Sequence, residues 1–108
     1  IPRLIAKRRS MMLFYCRFTW YPGTSREEVA HRVVEQDGLN NSFATRIKSW
    51  HTLAGGGAGS LMVEAETPRD ISEILEPYMD LMSWDVHAVT SNTYREKVAE
   101  LKKQLKDK

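Results

Sequence analysis

Cysteine occurs once in these 108 residues, at Cys16, so an internal disulfide is excluded and a reducing, cytoplasmic setting is expected. Because Cys16 lies inside an apolar run, it reads as a buried thiol rather than a reactive one. His31, His51 and His87 fall on different expected elements without ligand spacing, so no metal site and no cofactor are expected. Serine never occurs in a G-x-S-x-G context, which removes that nucleophile signature. No stretch approaches the ~20 apolar residues of a membrane-spanning helix. The run "MMLFYC" is cut off by Arg17, too early for a secretory h-region of about 7 to 15 residues. Internal repeats and low-complexity tracts are missing, and a content of 42% hydrophobic and 28% charged residues excludes disordered and collagen-like chains.

The first residues, "IPRLIAKRRS", carry four basic and no acidic side chains. Residues 1–11 therefore read as an upstream leader or expression-derived segment, and 12–108 as one domain of modest core. The formal charge of +2 depends on that segment. Without it the balance turns negative, which argues against a nucleic-acid partner.

The remaining pattern is that of an α/β mixture. Met12 to Trp20 alternates, with Phe14, Cys16, Phe18 and Trp20 on one side and Leu13, Tyr15, Arg17 and Thr19 on the other, a strand with one strongly apolar face. After "YPG", Thr24 and Glu27 suggest a capping box for a helix that turns Val29, Ala30, Val33 and Val34 to the core and ends near Asp37-Gly38. Following the polar link "NNS", Thr45 to Ala54 reads as a second strand and Ser60 to Glu66 as a third, with Leu61, Val63 and Ala65 inward. Thr67-Pro68 starts a second helix whose stripe is Ile71, Ile74, Leu75, Tyr78 and Met79, with a break expected near Glu76 because Pro77 cannot continue it. Ser83 to Ser91 forms a fourth strand. A last helix opens at a Thr93/Glu96 capping box, runs over 93–106, and spaces Tyr94, Val98, Leu101 and Leu105 along one side.

The order β-α-β-β-α-β plus a terminal helix predicts an α+β, ferredoxin-like domain, a four-stranded antiparallel sheet with two helices on one face. Its other face is left open and must meet water, a ligand or a partner. RNA-binding domains of this kind carry aromatics and a basic residue on the third strand, where this chain has Glu64 and Glu66. A homodimer through the open face is expected instead.

With "TWYPGTS", "W-x-x-LAGGGAG", "VEAE-x-P", "PYMDLMSWDV" and a Y-x-E-K-V tail in order, the chain resembles a family of small bacterial proteins grouped as a domain of unknown function. That family is assigned to the dimeric α/β-barrel superfamily of ferredoxin-like domains. The resemblance implies the fold and the dimer and supplies no reaction. The wider superfamily includes cofactor-free monooxygenases, muconolactone isomerases and haem-binding proteins, and none of their catalytic motifs can be laid over these residues.

Strand alternation turns Tyr15, Arg17, Met62, Glu64, Asp85 and His87 toward the open face. On the second strand either Ile47, Ser49, His51 and Leu53 or Arg46, Lys48, Trp50 and Thr52 face the core; Ile47 and Leu53 are favoured, which leaves Trp50 for the open face. The expected ligand is a small, partly apolar molecule held by Tyr15, Arg17, Trp50, Glu64 and His87. His87, beside Asp85, is the best acid–base candidate. Arg17 either clamps a carboxylate or pairs with Glu64 across the sheet. Two alternatives stand beside a binding protein: an enzyme resembling the cofactor-free monooxygenases or isomerases, and a purely structural interaction module.

Gly55, Gly56, Gly57 and Gly59 form the densest cluster of one residue type. A phosphate loop would run from strand to helix, whereas these glycines link two strands and no lysine follows. They read as a hairpin connection, with the further possibility of a flap over the open face.

Overall fold

The computed structural model describes residues 11–39 and 45–107. Residues 1–10 of the expected leader and the "NNS" link therefore lie outside the described residues. Four strands, β1 (Met12–Trp20), β2 (Ile47–Thr52), β3 (Ala58–Ala65) and β4 (Met82–Val89), make one open sheet in the order β2-β3-β1-β4. Every neighbouring pair is antiparallel. Three helices, α1 (Arg26–Gly38), α2 (Pro68–Leu75) and α3 (Tyr94–Lys106), complete the α+β architecture.

Alternation decides what β1 and β3 bury. Phe14, Cys16 and Phe18 from β1 and Leu61, Val63 and Ala65 from β3 are closed off from solvent, and they share one core with Val29 of α1 and with Ile71, Ile74 and Leu75 of α2. Burial pushes the Cys16 thiol up to about 11, so at neutral pH it is protonated packing material.

α2 forms as its sequence dictates. Thr67 caps it in a reciprocal box with Asp70, Pro68 occupies the first turn, and a single 3₁₀ turn over Glu76–Tyr78 replaces the helix where Pro77 intervenes. Tyr78 closes the core, whereas Met79, the last residue of the expected stripe, is exposed.

α1 departs from expectation in two ways. Its cap is Ser25, boxed with Glu28, one residue later than Thr24 and Glu27. The Thr24 hydroxyl instead donates to the Leu81 carbonyl at 2.9 Å. Only Val29 of its expected face is buried, Val33 packs at the margin of the core, and Val34 is 71% exposed. Polar contacts compensate for the thin apolar contact. The Arg32 guanidinium grips both Asp80 carboxylate oxygens, at 2.7 and 3.0 Å, and donates to the Pro77 carbonyl.

β2 is shorter than the expected Thr45–Ala54, and neither expected phase describes it. Ile47 pairs with Val63 while Ser49 pairs with Met62, so Lys48 is an extra residue. Such a bulge turns the chain over by one position. Ile47 before it and Trp50 after it both share a side with the buried β3 residues opposite them. Leu53, expected in the core, is 59% exposed.

β4 starts at Met82 rather than Ser83 and stops at Val89 rather than Ser91. Its inward side is covered only in part. Met82 is buried and Trp84 packs on the core, but Val86 and Ala88 remain exposed. α3 begins at the expected Thr93/Glu96 box and buries none of its residues.

Candidate functional site

The open face gathers most of the expected site residues. β1 runs through its middle, and register places Tyr15 between Met62 and His87, and Arg17 between Ser60 and Asp85. The His87 Nε2 lies 3.1 Å from the Asp85 carboxylate, with both side chains largely exposed. This is closer than the separation of about 7 Å between same-side residues of one strand, because both side chains lean together. Glu64 pairs with Lys48 at 3.3 Å. The cross-sheet Arg17–Glu64 pair is not formed, because the β2 bulge brings Lys48 to Glu64 while register sets Arg17 beside Asp85 and Ser60. His51, also on this face opposite Ser60, contacts the Ser49 hydroxyl at 3.0 Å.

Trp50 is not among them. Its ring meets the edge of Phe18, with centroids 5.7 Å apart, on the helix-covered side of the sheet. Phe18 also packs on Trp84, at 5.4 Å. The contact needs Gly59, since a Cβ there would collide with the His51 carbonyl and the Phe18 ring. Gly59 thus belongs to β3, not to the connecting loop, and its missing side chain is the gap that the Phe18 ring fills.

The other glycines shape the turn. Gly56 and Gly57 have φ of 82° and 78°, conformations that disfavour side chains. Gly55 is under neither constraint. The turn is tied at three points, Leu53 N–H to Ala58, Gly56 N–H to Leu53 and Trp20 N–H to Gly57, at 2.8 to 2.9 Å. The last of these bonds fastens the turn to the end of β1.

What the turn does is wall a groove on the opposite side. This groove, about 730 Å³, runs between α1 and the β2–β3 hairpin. Val29, Val33 and Val34 of α1 line it together with Leu53 and Gly55–Gly57 of the hairpin and with Trp20 and Trp50, and among the described residues Arg26 is the one charged residue of the lining. Trp20 carries a buried indole N–H without an acceptor among the described residues, a donor left to be satisfied. Trp20, Arg26 and Val34 were not recognisable as site residues, because the groove exists only where the end of β1, α1 and the β2–β3 hairpin meet. A usable signal existed in the surplus of apolar residues on α1, more than one helix face of a small core needs.

Among the described residues no group of three or more His, Cys, Asp or Glu could hold a metal ion. No helix there is long and apolar enough to cross a membrane. None of the curated proteins matches the chain. Residues 12–104 match the family described as Domain of unknown function (DUF3303), and the chain belongs to that family.

Proposed function

We propose that this member of the DUF3303 family is a homodimeric, ferredoxin-like protein that binds a small, partly apolar anion in the groove between α1 and the β2–β3 hairpin. The observation that carries the reading is the groove itself, whose 730 Å³ falls in the range of about 300 to 1,000 Å³ typical of small-molecule sites. Two indoles supply flat apolar contact. Arg26, which forms no ion pair among the described residues and sits at the capped start of α1, is the natural partner of a carboxylate. The fold reading is supported by the sheet order, since one strand separates β1 from β2 and another separates β3 from β4, as a split βαβ pattern requires. The dimer reading is supported by Leu13, Tyr15, Met62 and Val89 sharing the uncovered face.

Titration of tryptophan fluorescence with aromatic and branched-chain carboxylates, and with the matching neutral amides, tests the site. Carboxylates should bind more tightly than amides, Arg26→Gln should remove about tenfold of that preference, and Val33→Trp should fill the groove and abolish binding. Equal affinity of wild type and Val33→Trp would place the ligand elsewhere.

A second reading rests on the 3.1 Å Asp85–His87 pair. With Tyr15 and Arg17 as cross-strand neighbours, it supplies an acid–base group, a phenol and a guanidinium on one surface, the set that a monooxygenase- or isomerase-like enzyme of the open face would use. Loss of turnover of a screened substrate in His87→Ala, with groove binding intact, would favour it.

A further inference from the structure

α3 is a complete helix that buries none of its residues among the described ones, Val98 alone being half-covered. It spans 13 residues with a reciprocal Thr93/Glu96 box and basic residues in its last turn. Its apolar side is intact, yet Tyr94, Leu101 and Leu105 are 75%, 44% and 74% exposed. Its ion pair, Lys97–Glu100, and the Arg95 guanidinium over the Tyr94 ring are both internal to the helix. An isolated helix of about 12 to 15 residues is marginal in water, so this one needs an apolar surface to hold it.

Among the described residues the same chain offers an unfilled surface of the matching kind. Met11, Met12 and Leu13 at the start of β1 and Ala88 and Val89 at the end of β4 border an open apolar hollow of about 640 Å³. Thr90 and Ser91, which lead into α3, form its rim. α3 springs from the edge of this hollow and leaves it empty. A ridge and a hollow that one chain carries but does not join are the ingredients of a two-fold exchange, in which each copy's ridge enters the other's hollow.

Area gives the second argument. Four strands about 4.8 Å apart, each about eight residues long at ~3.3 Å per residue, present an open face of roughly 500 Å². A stable interface buries about 800 Å² on each partner. The open-face figure is a plane area and the accessible surface it covers is larger, so the open face alone makes a contact of modest size, and a helix about 20 Å long laid on the partner adds apolar area beyond it.

We infer that α3 is an exchanged arm: its Val98, Leu101 and Leu105 side chains dock in the hollow between β1 and β4 of a second copy of this chain. This rests on the homodimer reading above and extends the interface beyond the open face. The arm locks the dimer, so its removal weakens association without unfolding the domain that supplies it.

Sedimentation equilibrium of the full chain across nanomolar to micromolar concentrations tests the arm, comparing wild type with the double variant Leu101→Asp/Leu105→Asp and with Ala88→Glu at the hollow. The expected result is a wild-type dimer whose dissociation constant rises at least tenfold in each variant, with the thermal midpoint of the dilute monomer unchanged. A wild-type dimer that both variants leave intact overturns the arm and leaves the open-face dimer standing. A wild type that stays monomeric at micromolar concentration overturns both. If Leu101→Asp/Leu105→Asp lowers the stability of the dilute monomer without changing association, α3 packs on its own domain and the exchange is wrong.

Discussion

α2 and α3 begin alike and end differently. Each opens on a threonine that forms a reciprocal capping box, with Asp70 in one case and Glu96 in the other, and each carries an apolar stripe. α2 has 8 residues and buries Ile71, Ile74 and Leu75; α3 has 13 and buries none. Local chemistry is therefore sufficient to start both helices and says nothing about where their stripes go. Amphipathicity states that a helix needs a surface, and the owner of that surface is decided by chain connectivity. α2 follows β3 directly and folds back over the sheet, whereas α3 follows the edge strand β4, where the covered side has already run out at Val86 and Ala88.

The largest expected effect that separates the two is core truncation. Leu75→Ala should cost about 2 to 5 kcal/mol, the sum of lost transfer energy and a cavity, while Leu101→Ala should change the unfolding free energy of the dilute monomer by less than about 0.5 kcal/mol. Urea denaturation at low protein concentration measures both. A Leu101→Ala cost comparable to that of Leu75→Ala would erase the contrast.

Caps give the intermediate effect. Thr67→Ala should destabilise the whole domain by about 1 kcal/mol, because α2 unfolds only with the core. Thr93→Ala should instead fray α3 alone, lowering helical circular dichroism while leaving the urea midpoint in place. A shared midpoint shift would show that α3 belongs to the same cooperative unit.

The smallest effect concerns acid. The segment that follows α2 is held to α1 by the Arg32–Asp80 fork, and the hydrogen bond from Arg32 keeps the Asp80 carboxyl below its usual range. A depressed carboxyl contributes stability above its unfolded value, near ~3.9, and loses it as pH falls through the lower folded value. Urea midpoints measured from pH 7 downward should therefore fall below about pH 4 in wild type. Arg32→Ala should start lower at pH 7 and lose less over that acid range. α3, whose Lys97–Glu100 pair ties it to nothing else, should contribute no corresponding step; an Arg32→Ala curve parallel to wild type would dismiss the fork.

Legibility followed the same division between local and distant causes. The inward residues from Phe14 to Phe18 of β1, from Leu61 to Ala65 of β3 and from Ile71 to Leu75 of α2 could be read from the sequence, because over those spans the period runs unbroken and faces one core. α1 was displaced by one residue at its start because Thr24 and Ser25 are both good caps. The choice between them is made by the Leu81 carbonyl, 57 positions away. β2 follows neither expected phase because a bulge has no composition of its own. On the open face, Tyr15, Arg17, Glu64, Asp85 and His87 could be grouped from alternation alone, since three regular strands supply them. The groove could not, since α1, the end of β1 and the hairpin meet there only after folding.

Lys48 is where that meeting is decided. A strand is read two residues at a time, one for each side of the sheet, and an inserted residue acts on it as a frameshift acts on a message. Downstream of Lys48, Trp50 serves the groove and His51 the open face. Neither assignment is written in the side chains themselves. Chain length at one position, rather than the identity of any aromatic residue, determines which side of this sheet receives an indole, and so which side can recognise a flat molecule.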